Sequence, residues 1–403
     1  MDCLVCHEQT GAYKKFPAGA GNPVSAPKVF PGNKKKYFPP DYNQSARSVG
    51  RPSRKNCGTC HFYGGGGDGV KHGDLDSSLA KPNKALDVHM GLDGRNFDCV
   101  RCHTTTLHQV AGRLYTTPAF KGRKSLVEDD LASKITCESC HTAKPHKVNA
   151  KANDHTDRVA CQSCHIPTFA RVNPTKMWWD WSTAGKKKNG KPYMIKDDFG
   201  KPRYFTKKGD MRWEKNVKPD YFWFNGAMEY ITVKDTIDPG QTVPLNRPMG
   251  SMDDPNSRIF PFKIHRGKQP YDKVNKNMTI VHLFPKGKED KDAYWKGYDW
   301  AKAIAFGMDY AGLPFSGEYD FVETSYMFPI THMVAPKENA VACSECHAPE
   351  NSRLASLAGF YMPGRDGAGV VDILGWLLAL GSLIGVIAHG VGRVLSASGR
   401  REK

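Results

Sequence analysis

The sequence lacks any cysteine outside one repeated pattern. Its twelve cysteines form six Cys-x-x-Cys-His motifs, which are Cys3-Cys6-His7, Cys57-Cys60-His61, Cys99-Cys102-His103, Cys137-Cys140-His141, Cys161-Cys164-His165 and Cys343-Cys346-His347. Six copies of one spacing exclude a disulfide framework, and zinc knuckles or redox dithiols require no histidine directly after each pair. Covalent haem attachment does require it, because two closely spaced thiols bond the porphyrin and the adjacent histidine ligates the iron. We therefore expect six c-type haems, with the six motif histidines as proximal ligands.

Hydrophobic residues are also scarce. Only 39% of the 403 residues are hydrophobic, the mean hydropathy is −0.56, and there are 39 glycines and 27 prolines. A chain of this length normally forms two or three domains, but this composition is a thin supply of apolar residues for a conventional core of that size. Six large apolar porphyrins would supply the missing core. We therefore predict a mainly α fold with extensive coil, organised around stacked haems, with a few short strands in alternating runs such as "YFWFNGAMEYITV" and "RIFPFKIH".

Acidic residues are too few to balance the basic ones. There are 58 lysines and arginines against 41 acidic residues, a formal net charge of +17, which is typical of proteins that bind nucleic acid or membranes. The chain has no nucleic-acid-binding motif, however, and the propionates of six haems would contribute about −12. We therefore predict no nucleic-acid partner.

Histidines are abundant beyond the six motifs, and their positions suggest a second set of iron ligands. Nine lie outside the motifs, and five of these directly precede or follow a motif: His89, His108, His146, His155 and His332. Histidines so placed are expected to cross over and ligate the iron of a different haem, which gives closed, bis-histidine centres that carry electrons and bind no substrate. His72 and His265 are further candidate distal ligands. His282, in the apolar run "TIVHLFP", is not included.

The end of the chain has the one long apolar run. Residues 370–391 are long enough to span a bilayer as a helix, with Asp372 and His389 near its ends, where polar groups cost least. Arg393, Arg400, Arg401 and Lys403 follow, so the positive-inside rule places the C-terminus in the cytoplasm and the haem region on the periplasmic or extracytoplasmic face. We expect His389 to lie at the interface rather than to ligate a b-type haem. Gly381 and Gly385 form a small-xxx-small pair that would favour a homo-oligomer.

These observations divide the chain into five segments. Residues 1–170 carry five motifs, and residues 171–340 are haem-poor and rich in aromatic residues and lysine, with distal-ligand histidines. Residues 341–368 carry the sixth motif, 369–392 form the transmembrane helix, and 393–403 form a basic cytoplasmic tail.

Several strings are distinctive beyond the haem motif itself. They are "DCLVCHEQTGAYKKFPAGAG", "CGTCHFYGGGGDGVKHGDLDSSL", "DVHMGLDGRNFDCVRCHTTTLHQVAGR", "VACQSCHIPTFAR" and "TKMWWDWSTAGK". Together they resemble the octahaem tetrathionate reductase family of multihaem c-type cytochromes, over most of residues 2–365. The resemblance implies a helix-and-coil fold around a chain of haems and reductase activity toward small sulfur or nitrogen species such as tetrathionate, nitrite and hydroxylamine. It also implies a catalytic haem with a lysine as distal ligand, for which Lys14 and Lys15 are the candidates.

The start of the chain departs from that family. Its members carry eight haems, whereas only two residues precede Cys3, and an exported protein needs a signal peptide of roughly 15–30 residues. We expect Met1 to be a truncated or miscalled start, with a signal peptide and two further haem motifs upstream. A separate subunit carrying those motifs is the alternative.

Two functions follow from the sequence. One is a membrane-anchored periplasmic reductase of sulfur or nitrogen compounds, supplied with electrons by redox partner proteins or a quinol oxidoreductase and passing them to a small-molecule acceptor. The other is a pure electron-transfer cytochrome in which every haem has two histidine ligands and no substrate is turned over.

Overall fold

A computed structural model describes residues 2–15, 21–29, 35–106, 108–110, 135–287, 289–367 and 369–398. Its backbone divides into two compact units, Met1–Val341 and Ala342–Lys403. Each unit is described by itself below.

The first part of the larger unit is built from short helices, most of which carry an attachment motif. These are α1 Cys3–His7, α2 Tyr42–Arg47, α3 Arg54–His61, α4 Cys99–Cys102, α5 Glu138–His141 and α6 Cys161–His165. One helical turn suits the motif because residues three apart lie on the same face. Two of these helices begin at an aspartate cap: the Leu4 amide of α1 donates to the Asp2 carboxylate at 3.1 Å, and the Gln44 amide of α2 donates to Asp41 at 3.0 Å. The 3₁₀ helices Ser77–Ala80, Ala150–His155 and Lys337–Asn339 and the strands β1 Lys28–Val29, β2 Lys36–Tyr37, β3 Thr105–Thr106 and β4 Gln109–Val110 lie between or beyond them.

The middle of the chain forms an extensive sheet. Its strands are β5 Thr175–Asp180, β6 Met194–Lys196, β7 Pro202–Phe205, β8 Gly209–Glu214, β9 Asp220–Phe224, β10 Ala227–Tyr230, β11 Val243–Pro244, β12 Asn246–Met249, β13 Arg258–Asp272, β14 Asn277–Met278 and β15 Tyr319–Pro329. Nine of them form one sheet in the order β11-β15-β13-β5-β8-β7-β6, with β9 and β14 also paired to β13. The long antiparallel β13–β15 ladder runs from Phe262↔Pro329 to Asp272↔Tyr319. Strands β10 and β12 form a separate pair.

The prediction of a mainly α fold is wrong. About 26% of the chain is helix and 21% is strand. The haem-poor region supplies its own apolar side chains, since Phe224, Phe260 and Phe262 pack together in one buried cluster with Met228 and Ala160. A sheet can therefore close a core there without porphyrins. The low mean hydropathy of the whole chain did not reveal this sheet core, because it averages the polar haem-binding region with the aromatic sheet region.

A helical hairpin covers part of the sheet. It comprises α7 Tyr294–Gly297 and α8 Trp300–Tyr310. Ala303, Ile304 and Met308 are fully buried on one face of α8 at helical spacing and pack against Tyr294 and Trp300. His282 is held at this helix, because its ring stacks on Phe306 at 4.3 Å and its Nε2 lies 2.9 Å from the Asp290 carboxylate.

A buried lysine joins the sheet to the loop that precedes residue 72. The side chain of Lys263, on β13, is fully buried, and its amine donates to the carbonyls of Val70 and Lys71 and to Thr175 Oγ1 at 3.3, 2.9 and 2.6 Å. Burial lowers the pKa of Lys263 to about 7. Two of these hydrogen bonds hold the loop, and the third joins Lys263 to Thr175 on β5.

The smaller unit contains the sixth motif and the apolar helix. Helix α9 Cys343–Cys346 is followed by coil, in which Arg353 donates to the Glu345 carboxylate and Arg365 donates to the Leu354 and Leu357 carbonyls. Helix α10 Gly369–Ser398 is the one helix in the described residues that is long and apolar enough to cross a bilayer, and the candidate span within it, Gly369–Ser396, has a mean hydropathy of 2.2.

Candidate haem centres

The attachment helices of the larger unit lie next to one another in chain order. The side chain of Cys57 is close enough to those of Cys99 and Cys6 to interact with them electrostatically. The same holds for Cys137 with Cys161 and for Cys102 with Cys140. All twelve cysteines are free of disulfides. The first five motifs therefore form an unbroken series in which each lies beside the next.

Four motif histidines each face a second histidine from elsewhere in the chain. The ring centroids are 6.4 Å apart in His7–His108, 6.0 Å in His141–His89, 6.2 Å in His103–His332 and 6.1 Å in His165–His146. In every pair the second histidine adjoins a motif other than the one it faces. The four distal candidates thus cross between motifs.

The spacing of these rings fits a bis-histidine haem. A bond of about 2 Å from each imidazole nitrogen to a central transition metal, plus the distance from that nitrogen to its ring centre, places two ring centroids about 6 Å apart. Hydrogen-bonded or stacked imidazoles would lie closer together. The residues present therefore fit haem iron between each pair, with the adjacent cysteines as the attachment points. A haem bound there supplies one-electron redox chemistry.

The four pairs fall into two geometries. The ring planes are nearly parallel in His165–His146 and His103–His332, at 6° and 22°. They are crossed in His141–His89 and His7–His108, at 66° and 72°. Axial ligands set the electronic properties of haem iron, and parallel and crossed imidazole planes give separate classes of low-spin EPR signal. The two classes are therefore distinguishable by spectroscopy.

Hydrogen bonds at the second ring nitrogen fix the orientation of these histidines. Nδ1 of His7 lies 2.8 Å from the Gly50 carbonyl, and Nδ1 of His146 lies 3.1 Å from Asn153 Oδ1. Such contacts set the tautomer so that Nε2 is left to ligate. Burial and the nearby His146 lower the pKa of His165, which favours the neutral, ligating form.

Two buried aspartates shape the loops that present distal histidines, and neither was predicted from the sequence. Asp74 is 1% exposed and accepts from the backbone amides of Thr331 and His332 at 2.9 and 3.1 Å. Asp87, 3% exposed, accepts from the His89 amide at 2.9 Å and, through its other oxygen, from the Val334 amide at 3.1 Å. The strings "HGDLD" and "DVHMG" place these carboxylates two residues from a histidine, which was the available signal.

The remaining candidates lie in different surroundings. The ring of His72 contacts Phe328 at 5.5 Å, and burial lowers its pKa to about 4. His265 is in the middle of β13, where burial lowers its pKa well below the usual range. His155 is exposed at the end of the 3₁₀ helix Ala150–His155. The four histidine pairs do not include His72, His265 or His155, nor the motif histidines His61 and His347. Nδ1 of His347 lies 2.7 Å from the Pro363 carbonyl.

The candidate catalytic lysines lie just after α1. Lys14 is exposed, and the Lys15 amine is 3.4 Å from the Asp2 carboxylate. Phe16 and Pro17, which follow them, lie outside the described residues.

Comparisons with known proteins agree with this geometry. The family "Cytochrome c bacterial" matches residues 176–350, and "Cytochrome c7 and related cytochrome c" matches residues 83–175. The crystal structure of octaheme cytochrome c from Shewanella oneidensis superimposes with a TM-score of 0.76 at 42% sequence identity, covering 92% of this chain and 77% of that one. The chain belongs to the multihaem c-type cytochromes.

An uncharacterised protein of Archaeoglobus fulgidus is also similar to part of this cytochrome. It is 26% identical over 132 residues, which is 32% of this chain and 43% of that protein. The chain thus spans less than half the length of this relative. Haem c is the cofactor of the multihaem cytochrome described here, which confirms the expectation from the motifs.

The motif inventory predicts the haem content. Because each of the six motifs supplies two thiols and a histidine, the denatured, exported chain should carry six covalent haems between residues 3 and 347. Mass spectrometry of proteolytic fragments should find one haem on each motif-containing fragment. A Cys60→Ser variant is the matched control and should disturb haem attachment at the second motif alone. Fewer than five haems on the parent would contradict the prediction.

Proposed function

We propose that this cytochrome is a membrane-anchored, extracytoplasmic reductase in which a series of closed haems carries electrons to a site where tetrathionate, nitrite or hydroxylamine is reduced. The four histidine pairs, with ring centroids 6.0–6.4 Å apart, carry the electron-transfer part of this proposal. Two histidine ligands leave an iron no open position, so such haems conduct electrons and cannot bind substrate. The unbroken series of motifs provides the path.

The proposed acceptors each take up more than one electron, which a protein with several one-electron haems can supply. Tetrathionate takes up two electrons when its central sulfur–sulfur bond breaks to give two thiosulfates, and hydroxylamine takes up two electrons and protons when it is reduced to ammonia. Neighbouring haems can deliver these electrons in quick succession. The 42% identity to an octaheme cytochrome c supports a haem chain longer than the six motifs of this sequence.

Helix α10 supports the membrane anchor. Its apolar stretch is long enough to span the bilayer, and the haem motifs all lie on its N-terminal side. The source of electrons would then be a redox partner protein or a quinol oxidoreductase at the same membrane.

Lys14 and Lys15 are the residues we propose for the substrate-binding haem. An amine ligates iron only when it has lost its proton. In full-length protein, Lys14→Leu or Lys15→Leu should abolish most reduction of tetrathionate and hydroxylamine by reduced viologen, while the low-spin haem spectrum is retained. Lys36→Leu, another lysine of the N-terminal region, is the control and should leave turnover unchanged. Full activity in both variants would remove these lysines from the mechanism.

A pure electron-transfer cytochrome is the second candidate, and the same four closed pairs favour it. The two functions differ in one measurement. Reduced full-length cytochrome mixed with tetrathionate, nitrite or hydroxylamine should be reoxidised at a rate proportional to acceptor concentration if it is a reductase. If it only transfers electrons, the haems should stay reduced with all three compounds but reoxidise with an oxidised partner cytochrome.

A further inference from the structure

The distal ligand candidate His332 is set apart by the group that faces its second ring nitrogen. Its Nδ1 lies 3.2 Å from Asp74 Oδ2 and 3.1 Å from Thr331 Oγ1. The corresponding nitrogen of His146 faces the neutral amide oxygen of Asn153, and that of His7 faces a backbone carbonyl. A carboxylate also lies near the paired histidine His89, but Asp87 Oδ1 is 3.9 Å from its Nδ1, beyond hydrogen-bond distance. Of the contacts described for these distal candidates, the one between His332 and Asp74 is the one that brings a carboxylate to hydrogen-bond distance.

The carboxylate is held in place from several sides. Asp74 is 1% exposed, and two backbone amides of the His332 segment donate to the same oxygen that faces the ring. Within the described part of the chain, no lysine or arginine nitrogen lies within ion-pair distance of Asp74, and its Oδ1 is buried without a hydrogen-bond partner. In the described residues the carboxylate thus lies at ion-pair distance from the His332 imidazole alone, and Lys263 and His72 interact with it electrostatically from farther away.

Such a contact changes the ligand electronically. An Nδ1–H that donates to a carboxylate makes the imidazole more basic, so that it donates more electron density to the metal. A buried negative charge also interacts strongly in a low-dielectric interior. Both effects stabilise the ferric form over the ferrous form.

We infer that Asp74 is a positioning residue that lowers the reduction potential of the haem attached at Cys99 and Cys102, by polarising its distal ligand His332. This inference rests on the proposed ligation by His103 and His332. The haem at this motif is then a low-potential step in the series, below the haem at Cys161 and Cys164, whose distal His146 faces an amide.

The two haems compared here form a natural pair for experiment. Both have nearly parallel ring planes, at 22° and 6°, so both contribute to the same class of EPR signal. They differ in the acceptor at the distal Nδ1, a carboxylate in one and an amide in the other. A potentiometric titration followed by EPR therefore reads both haems together, against the crossed pairs as internal references.

The test is an exchange of these two acceptors in the full-length protein. Asp74→Asn should shift the potential of one parallel-class haem upward and leave the other haems unchanged, and Asn153→Asp should shift the second parallel-class haem downward. Thr331→Val, which removes the hydroxyl and keeps the carboxylate, is the control and should shift the potential far less than Asp74→Asn. All haems should remain low-spin, because no ligand is removed.

The outcomes separate the inference from the proposed ligation. Unchanged potentials in Asp74→Asn would overturn the role of Asp74, as would a shift in Thr331→Val as large as in Asp74→Asn. If Asp74→Asn does not accumulate as folded protein, the absence of a downward shift in Asn153→Asp overturns the inference. If His332→Ala leaves every haem low-spin, the ligation itself is wrong, and any effect of Asp74→Asn then has another origin.

Discussion

Replacing His332 with alanine should convert one low-spin haem into an open, high-spin haem. Its ring centroid lies 6.2 Å from that of His103, the separation that fits iron between them. Imidazole is a strong-field ligand, so its loss leaves five-coordinate iron that binds an external ligand. A high-spin signal should appear in EPR, and the reduced variant should bind one equivalent of carbon monoxide per chain more than the parent. His332→Met should instead keep the haem low-spin and raise its potential.

His282→Ala is the matched control for this substitution. His282 is occupied by Asp290 and Phe306 and takes no part in the histidine pairs. Its removal should leave the haem spectra unchanged. A His332→Ala protein with an unaltered low-spin spectrum and no additional carbon monoxide binding would show that His332 is only structural.

Deleting residues 370–391 should release the cytochrome from the membrane completely. At the centre of a bilayer-spanning helix, each Leu, Ile, Phe or Val contributes about −0.3 to −0.6 kcal/mol to insertion, and Leu374, Leu377, Leu380 and Ile384 lie in this segment. The sixth motif ends at His347, before the deletion, so the soluble product should keep all six haems. Spheroplast fractionation with haem staining measures both results.

The control for the deletion keeps the membrane-spanning helix and changes only its small residues. Replacing Gly381 and Gly385 with leucine preserves an apolar helix, so this variant should remain in the membrane fraction after a high-salt wash. A deleted protein that still sediments with membranes, or a parent protein that a salt wash removes, would contradict the anchor. The glycine variant also separates dimerisation from anchoring, because only helix contacts depend on the small residues.

The sheet shows where reasoning from the sequence failed. The runs "YFWFNGAMEYITV" and "RIFPFKIH" were correctly identified as strand-forming, yet they were expected to be short and few. Instead β13 extends over Arg258–Asp272 and pairs with β5, β9, β14 and β15. Alternation within one segment reveals a strand, but the number of partners it finds depends on segments far away in the chain, such as Tyr319–Pro329.

For the iron ligands too, the sequence predicted one part and only the tertiary structure decided the rest. The sequence alone determined the cofactor and its attachment, because thioether and proximal-ligand chemistry is contained in five consecutive residues. It also identified His89, His108, His146 and His332 as distal candidates from their positions beside the motifs. Which ring faces which motif was decided only by the tertiary structure, since His332 meets His103 across more than two hundred residues. The placement of Asp74 against His332 also depends on the tertiary structure. The His332 amide donates to the Asp74 carboxylate and so holds that carboxylate beside the His332 ring, although the two residues are far apart in the sequence.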